Sequence, residues 1–418
     1  MLLRTLCVAL WVCALWCAPA AAAKKPKSPS ASASDAAKGY DAEARLIQIY
    51  QRIGLAQTRQ ALALADQLVK DYPTFALAQL VHGDLLTAQT RPIKAMGDMP
   101  EATLRAASPG TLAELREESL LRLKALRERP PAGMVPSQFV RLSARNKHAI
   151  AVDPTRARLY LFENTAQGIK LIADFYMSVG KLGVDKALEG DLRTPLGVYY
   201  VTSSVDPNAL TDLYGAGALP INYPNPYDLR RGKTGSGIWL HGVPRNQFAR
   251  APKATDGCVA VSNPDLQRIL QTVSIRTTPV VIAPSLQWVN PNVQTPEAKA
   301  FDALWEQWRS AKASGDVTRT LAYYTPDFNS YGKTLTEWTG VLKNDIALAK
   351  GKPVQIKDQS VLYAPEGSPN SSSQNATMVV TYSEVRAGSS QGPTKRQYWL
   401  RSAATQNQWK IFFEGVIG

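Results

Sequence analysis

The sequence predicts a multidomain protein with an α-helical N-terminal region, a mostly-β central domain and an α+β, cone-like C-terminal domain. The chain has 418 residues, which is roughly two to three domains' worth. Its hydrophobic and charged fractions, 45% and 20%, exclude a wholly disordered or collagen-like chain. The apolar periodicity changes twice along the sequence, from helical spacing to strand-like runs and then to a helix followed by long strands.

The first 23 residues have the pattern of a secretory signal peptide. Met1 to Arg4 is a short basic start, an apolar run extends from Leu6 to Trp16, and small residues at 18–23 offer a cleavage site. This run is too short and wrongly flanked for a transmembrane helix. We therefore expect an exported protein with no integral membrane segment in the mature chain.

The cysteines are distributed unevenly, which matters for function. Cys7, Cys13 and Cys17 lie within the signal peptide, and only Cys258 remains in the mature chain. A single cysteine cannot form an internal disulfide in an oxidising compartment. It is therefore either a buried small hydrophobe or a reactive nucleophile, and its neighbours must decide between the two. The formal charge of +14 favours anionic partners, but charge alone does not choose among nucleic acid, membrane headgroups and cell-wall polymer.

The segments before the central domain are predicted to be a tether and a helical region. Residues 24–39 are rich in Pro, Ser, Ala and Lys and indicate a flexible tether. Residues 40–130 have helical periodicity, and within them 61–73 and 75–83 resemble one tetratricopeptide-type hairpin. Since a single hairpin cannot bury its own faces, we expect it to pack on a neighbour or to form a groove for a partner.

The remaining sequence predicts two further domains joined by a linker. Residues 139–284 contain short strand-like runs densely punctuated by Gly and Pro, which predicts the mostly-β domain. Residues 285–296 are polar and read as the linker. Residues 297–418 begin with a helix whose apolar residues share one stripe and continue with four long strand-like runs. This order resembles the SnoaL-like, or nuclear-transport-factor-2-like, α+β fold.

His241 and Cys258 are the candidate catalytic pair. His241 ends the strand-like run Ile-Trp-Leu-His, and Cys258 follows in Thr-Asp-Gly-Cys with sixteen residues between the two. A thiol with an ordinary pKa is only a few per cent thiolate at neutral pH, so a nucleophilic cysteine needs a base. An imidazole within hydrogen-bond reach takes that proton and later returns one to the leaving amine. Gly257 allows a sharp backbone approach, so that nearby amides could face a developing oxyanion.

The combination of His-Gly, a loop of this length and Thr-x-Gly-Cys resembles the signature of the L,D-transpeptidase (YkuD-type) catalytic domain. Upstream, the segment 190–197, with Gly-Asp and Thr-Pro-Leu-Gly, is also typical of that family. The resemblance covers roughly a third of the chain. It implies that Cys258 attacks the L,D peptide bond after meso-diaminopimelate in a peptidoglycan stem peptide. His241 would serve as general base and proton donor, and Gly257 and Thr255 would form the oxyanion loop.

The same resemblance implies the surroundings of the reaction. Gly242, Asp256, Trp239 and Tyr223 are the further candidates for substrate binding. The expected location is periplasmic and associated with the cell wall, with stem peptides as partners, no cofactor, no metal and no nucleic acid. The helical and C-terminal domains could also dock protein partners.

Two departures from the family pattern leave alternatives open. Many members have a histidine at the position of Asp256 and an arginine at that of Ala260. Because an arginine can clamp a carboxylate and a methyl group cannot, we expect hydrolysis to equal or exceed cross-linking, as in a carboxypeptidase or endopeptidase. A metal site of His241, Asp256 and Cys258 is the rival chemistry, and it would need three well-placed ligands. A non-catalytic cell-wall-binding protein is the alternative of another class.

Overall fold

The structure is a computed structural model that describes residues 33–98, 109–349, 354–366, 375–386 and 388–417. The predicted signal peptide lies outside these residues, as does most of the predicted tether. Helix α1 (Ala33–Gly54) begins inside the segment 24–39, so the prediction of a tether is wrong for its last seven residues. Three of those seven are alanine, the residue with the highest helix propensity. Within the described ranges, no helix has the length and apolarity needed to cross a membrane.

The described part of the N-terminal region is helical, as predicted. Its helices after α1 are α2 (Thr58–Asp71), α3 (Ala76–Thr87) and α4 (Pro109–Arg127). Ala61, Ala65 and Leu68 recur at helical spacing on the buried face of α2. They join one apolar cluster with α1, α3 and Phe248 of the central domain. The hairpin α2–α3 therefore packs on neighbours, and its resemblance to a tetratricopeptide repeat stays a prediction.

The central domain is mostly β and follows two short strands, β1 (Val135–Pro136) and β2 (Phe139–Arg141). Its own strands are β3 (His148–Asp153), β4 (Arg158–Thr165), β5 (Gly168–Gly180), β6 (Gly197–Tyr200), β7 (Ala218–Pro220), β8 (Trp239–His241), β9 (Lys253–Thr255), β10 (Val259–Val261) and β11 (Pro279–Ile282). They form one sheet in the order β6-β11-β3-β4-β5-β10-β8-β7, and β9 pairs with β5. Helices α5 (Pro226–Arg230) and α6 (Asn263–Thr272) complete the domain.

The C-terminal domain is an α+β unit, as predicted. Its elements are β12 (Trp288–Val289), α7 (Pro296–Ala313), α8 (Val317–Leu321), β13 (Asn329–Ser330), β14 (Lys333–Thr334), α9 (Leu335–Ala349), β15 (Val354–Pro365), β16 (Ala376–Arg386), β17 (Thr394–Arg401) and β18 (Lys410–Val416). The last four strands form an antiparallel sheet with β2 at its edge. One face of this sheet packs on Phe301, Trp305 and Trp308 of α7.

Successive side chains along the strands of the central sheet point to opposite faces, and one of these faces packs against the C-terminal sheet. In β3, Ile150 and Val152 face the core of the central domain, whereas Ala149 and Ala151 face a second core. The C-terminal sheet contributes Val379 and other side chains to this second core. The central sheet is therefore buried on both faces, and the C-terminal domain is packed directly against it.

Two domain boundaries differ from the predicted ones. Strand β2 belongs to the predicted central domain by sequence position, but Phe139 pairs with Leu362 in the C-terminal sheet. Within the predicted linker 285–296, β12 pairs with β1, and the ring of Trp288 lies 5.1 Å from that of Tyr160. Both features depend on pairing between residues far apart in sequence, which local periodicity does not encode.

Candidate active site

Parallel strand pairing places the predicted pair on neighbouring strands, two register positions apart. β8 ends at His241 and β10 begins immediately after Cys258. In the register of these strands, Leu240 is opposite Val259, and His241 is opposite Ala260. Cys258 therefore lies across from Trp239, and the sixteen-residue loop between the pair leaves the sheet at one strand and returns on its neighbour.

His241 is held as a neutral base. Its side chain is buried, and Nδ1 lies 2.6 Å from the carbonyl oxygen of Gly242. Because a carbonyl only accepts hydrogen bonds, Nδ1 carries the proton and Nε2 is left as the acceptor. Burial lowers the pKa of His241 to about 4, against the opposing effect of the Gly242 carbonyl, and the charge of Arg250 lowers it further. The imidazole is thus able to accept a proton across the neutral pH range.

Cys258 is held as a neutral thiol. It is partly exposed, and its Sγ donates to the carbonyl oxygen of Gly237 at 3.5 Å. Burial raises the pKa of Cys258, a hydrogen bond from the Trp239 backbone opposes this, and the charge of Asp256 adds to the increase. Both the thiol and the imidazole are therefore uncharged at rest, and a thiol in this state becomes a good nucleophile only when it loses its proton.

Thr255 fixes the turn that presents the thiol. Its buried hydroxyl donates to the carbonyl oxygen of Cys258 at 2.7 Å and accepts from the amide of Gly257 at 3.2 Å. Gly257 has a φ of +129°, and a Cβ there would lie 2.8 Å from the carbonyl oxygen of Arg193. This position therefore requires glycine. In this conformation the Gly257 amide is engaged within the loop, so its predicted oxyanion role requires that hydrogen bond to open.

The upstream segment 190–197 forms the wall against which this turn packs. The hydroxyl of Thr194 accepts from the amide of Gly180 at 2.9 Å. The carboxylate of Asp191 accepts from Lys186 and from three backbone amides of its own loop. Although burial raises the pKa of Asp191, these hydrogen bonds outweigh that effect and lower it to about 2. The segment is thus a rigid support for the carbonyl of Arg193 that abuts Gly257.

Three of the predicted substrate-binding residues lie next to the pair. Trp239 is half-buried, opposite Cys258. Asp256 is exposed, and its carboxylate is 2.8 Å from Nζ of Lys181. Gly242 has a structural reason to be glycine, because a Cβ there would lie 2.1 Å from Oδ1 of Asn263.

Tyr223 is not at the site, which corrects the prediction. Its side chain is 5% exposed and belongs to the core of the central domain. Its hydroxyl donates to the carbonyl oxygen of Thr234 at 3.0 Å, so both ring and hydroxyl are committed inside the fold. The other central-domain histidine, His148, begins β3 and is not part of the pair.

Tyr214 is a site residue that sequence reasoning missed. Its ring centroid lies 4.9 Å from that of Trp239 and 5.1 Å from that of His241. The three rings form one aromatic wall beside the thiol. Tyr214 lies in a loop far from either motif, and no spacing in the sequence marks it.

Arg250 is the second missed residue, and it lies within the loop between the catalytic pair. Its guanidinium donates to the carbonyl oxygens of Ala254 at 3.3 Å and Leu213 at 3.4 Å. Its positive charge lowers the pKa of both His241 and Cys258. Arg250 is thus a cation whose charge acts on both groups of the pair, although no motif identifies it.

The rival metal interpretation has no geometric support. Within the part of the chain that the structure describes, no three His, Cys, Asp or Glu side chains are arranged to hold a metal ion. His241, Asp256 and Cys258 are therefore not assembled as a ligand set. The arrangement instead holds a thiol, a neutral imidazole and a constrained turn, which are the kinds of groups that acyl transfer uses.

The fold and this geometry define a protein with an L,D-transpeptidase-type domain, and family comparison confirms it. Residues 147–282 match the L,D-transpeptidase catalytic domain, YkuD. Residues 301–415 match the Cds6 C-terminal NTF2-like domain. The chain therefore contains an L,D-transpeptidase catalytic domain followed by an NTF2-like domain, as both resemblances predicted.

Two solved structures are similar in fold to most of this chain. Bd1075 of Bdellovibrio bacteriovorus is 24% identical, with a TM-score of 0.55 over 68% of this chain and 98% of that chain. The helical cell shape determining protein Pgp2 of Campylobacter jejuni is 20% identical, with a TM-score of 0.50 over 71% of this chain and 99% of that chain. At these identities the likeness shows a common fold. No curated protein matches the sequence.

Proposed function

We propose that this protein is an exported, cysteine-dependent peptidoglycan L,D-transpeptidase that works through an acyl-enzyme on Cys258. One observation carries the proposal: β8 and β10 are parallel neighbours, so Cys258 lies on the strand next to that of His241, whose Nδ1 is committed to Gly242. The match to the L,D-transpeptidase catalytic domain supports a stem peptide as the substrate. A role in cell-wall cross-linking or remodelling in the periplasm also agrees with the description of Pgp2 as a cell-shape determinant.

The first half of the proposed reaction forms a thioester. Nε2 of His241 takes the proton of the Cys258 thiol as Sγ bonds to the carbonyl carbon of meso-diaminopimelate. The tetrahedral intermediate collapses, the carbon–nitrogen bond breaks, and Nε2 returns the proton to the departing amine. In the second half, an acceptor amine gives its proton to Nε2 and attacks the thioester. Sγ then leaves and regains a proton, which restores the resting pair.

Hydrolysis is the second candidate outcome, and the environment of Ala260 favours it. Ala260 is buried in β10, paired with His241 on one side and Ser178 on the other. Its methyl group cannot orient a substrate carboxylate, and Asp256 is already paired with Lys181. Looser positioning hinders an acceptor amine more than it hinders water, which is always present. We therefore expect hydrolysed stems to equal or exceed cross-linked dimers.

Incubation with a defined tetrapeptide-bearing muropeptide tests these proposals, with products identified by mass. The wild-type protein should release D-alanine and yield shortened stems, cross-linked dimers or both. Cys258→Ala should yield neither while unfolding at the same temperature as wild type. Chiefly cross-linked dimers at modest substrate concentration would refute the hydrolytic preference. No product from folded wild-type protein would favour the non-catalytic cell-wall-binding alternative.

A further inference from the structure

A cavity that is separate from the candidate active site lies between the central and C-terminal domains. Its volume is about 270 Å³. The central domain contributes Tyr200 at the end of β6 and Arg276 from the loop after α6. The C-terminal sheet contributes Arg396 of β17, and Arg145 comes from the segment between β2 and β3. The cavity therefore exists only where the two domains meet, and three arginines line it.

Arg396 is the buried member of this set. Its side chain is 7% exposed, and its Cζ lies 3.3 Å from the centroid of the Tyr200 ring. Its Nε donates to the hydroxyl of Thr381 at 2.9 Å. Among the described residues, neither terminal nitrogen of this guanidinium has a hydrogen-bond partner, and no carboxylate forms an ion pair with it. A buried cation without an anion is costly, so the site lacks a negative charge that a ligand could supply.

Arg145 and Arg276 extend the positive surface to the mouth of the cavity. Arg145 donates to two neutral hydroxyls, those of Ser383 at 3.0 Å and Thr394 at 2.7 Å. Both arginines are exposed, and neither forms an ion pair with any described carboxylate. One carboxylate, that of Asp358, also lines the cavity. Three positive charges against one negative charge leave a net attraction for an anion.

We propose that this cavity is a non-catalytic site for the carboxylate of a peptide. A guanidinium fixed on an aromatic ring presents a planar edge that matches a carboxylate through two parallel hydrogen bonds. Ile275 and Ile417 line the same cavity and offer apolar contact for an aliphatic side chain of the peptide. The choice of a peptidoglycan stem peptide as the occupant rests on the proposed function, whereas the anion site itself does not. Inorganic phosphate would satisfy the same donors and is the other source of an oxyanion.

Arginine labelling tests the site directly in the full mature Cys258→Ala protein, which binds substrate without turnover. Phenylglyoxal modification of each arginine is followed by peptide mass mapping, with the tetrapeptide L-Ala-D-Glu-meso-diaminopimelate-D-Ala or with inorganic phosphate. At about ten times its Kd, the tetrapeptide should slow labelling of Arg145 and Arg276 by about tenfold. Exposed Arg319 of α8, which lies outside the cavity, should label at an unchanged rate.

Variants and the two ligands separate the outcomes. Arg396→Gln should abolish the protection, and Arg396→Lys should weaken it. Because Arg145 is exposed, Arg145→Gln should fold even if Arg396→Gln does not, and it should weaken the protection of Arg276. Protection by phosphate but not by tetrapeptide would overturn the peptide assignment. Protection by neither ligand would overturn the site. Since the assay needs no turnover, an inactive enzyme with intact protection would refute the proposed function alone.

Discussion

At the scale of residues, the candidate site keeps both the imidazole of His241 and the thiol of Cys258 uncharged at neutral pH. Burial lowers the pKa of His241 and raises that of Cys258. An ion pair of thiolate and imidazolium is therefore not the resting state. In the proposed reaction, deprotonation of the thiol is therefore coupled to attack on the substrate, with His241 as the base.

The first prediction is a pH profile without an inflection at the ordinary pKa of histidine. Acylation of wild-type protein should be lost only as the pH falls through about 4, where His241 takes up a proton and can no longer accept one. The rate should be nearly level from about pH 5 to about pH 8 and rise where the thiol begins to ionise. The pH profile is measured by quenching the reaction at fixed times and quantifying the acyl-enzyme by mass at each pH. A titration centred near 6.5 would contradict the burial of the imidazole.

The second prediction concerns removal of the base. His241→Ala should lower the acylation rate at pH 7 by about 10²–10⁴ and by less at alkaline pH, where the thiol ionises unaided. His148→Ala is the matched control, because His148 lies on β3 and makes no part of the pair. It should acylate at the wild-type rate. A loss in His241→Ala that does not depend on pH would point to a structural role instead.

At the scale of elements, the loop between His241 and Cys258 is held by the N-terminal helices. Phe248 in this loop is buried, with its ring 4.4 Å from that of Phe75 and 5.6 Å from that of Tyr72. Its amide donates to the carbonyl oxygen of Thr74 at 3.1 Å. The loop carries Arg250 two residues later, so the helical region helps to position the catalytic turn.

The third prediction follows from this contact. Phe248→Ala should lower the acylation rate by about 10- to 100-fold, because a loosened loop misplaces the nucleophile. Phe412→Ala is the matched control, since Phe412 is also buried but lies in the core between the two sheets. It should lower the unfolding temperature while the remaining folded protein keeps its acylation rate. Equal acylation by both variants would show that the helical region does not position the loop.

The helices, strands and loops show most clearly which parts of the structure could be predicted from the sequence. His241 and Cys258 could be predicted because the chemistry constrains their spacing, and the helices and long strands could be predicted because burial imposes periodicity. The sequence could not predict the positions of Tyr214, Arg250 and Phe248, because only the fold brings these residues to the region of the pair. The pairing of β2 with β15 of the C-terminal sheet could not be predicted for the same reason.

At the scale of the whole molecule, a buried charge network joins the N-terminal helices to the central sheet. Glu43 of α1 accepts from Arg158 of β4 and from Arg122 of α4, each at 2.7 Å. Burial raises the pKa of Glu43, but the two guanidinium groups outweigh that and lower it to about 2. The helical region is thus docked by charge as well as by apolar contact.

The fourth prediction tests this network. Glu43→Gln should destabilise the protein at pH 7 by about 3 kcal/mol, the lower end for a broken buried pair. The shared carboxylate is lost, but Arg122 keeps Glu118 and Arg158 keeps Asp174. The difference from wild type should shrink as the pH falls from 4.5 towards about 2, because the unfolded carboxylate is protonated first and the folded one last. Chemical unfolding at several pH values measures this. Glu306→Gln, which removes an exposed pair with Arg309, is the control and should cost no more than about 1 kcal/mol.

Intact mass after exposure to a carbapenem tests most directly whether Cys258 is the acylated nucleophile, since L,D-transpeptidases are characteristically acylated by that class. Wild-type protein should gain one covalent adduct per chain, located by peptide mapping at Cys258. The Cys258→Ala protein, with the same unfolding temperature as wild type, should gain no adduct. A covalent adduct on Cys258→Ala would contradict the account.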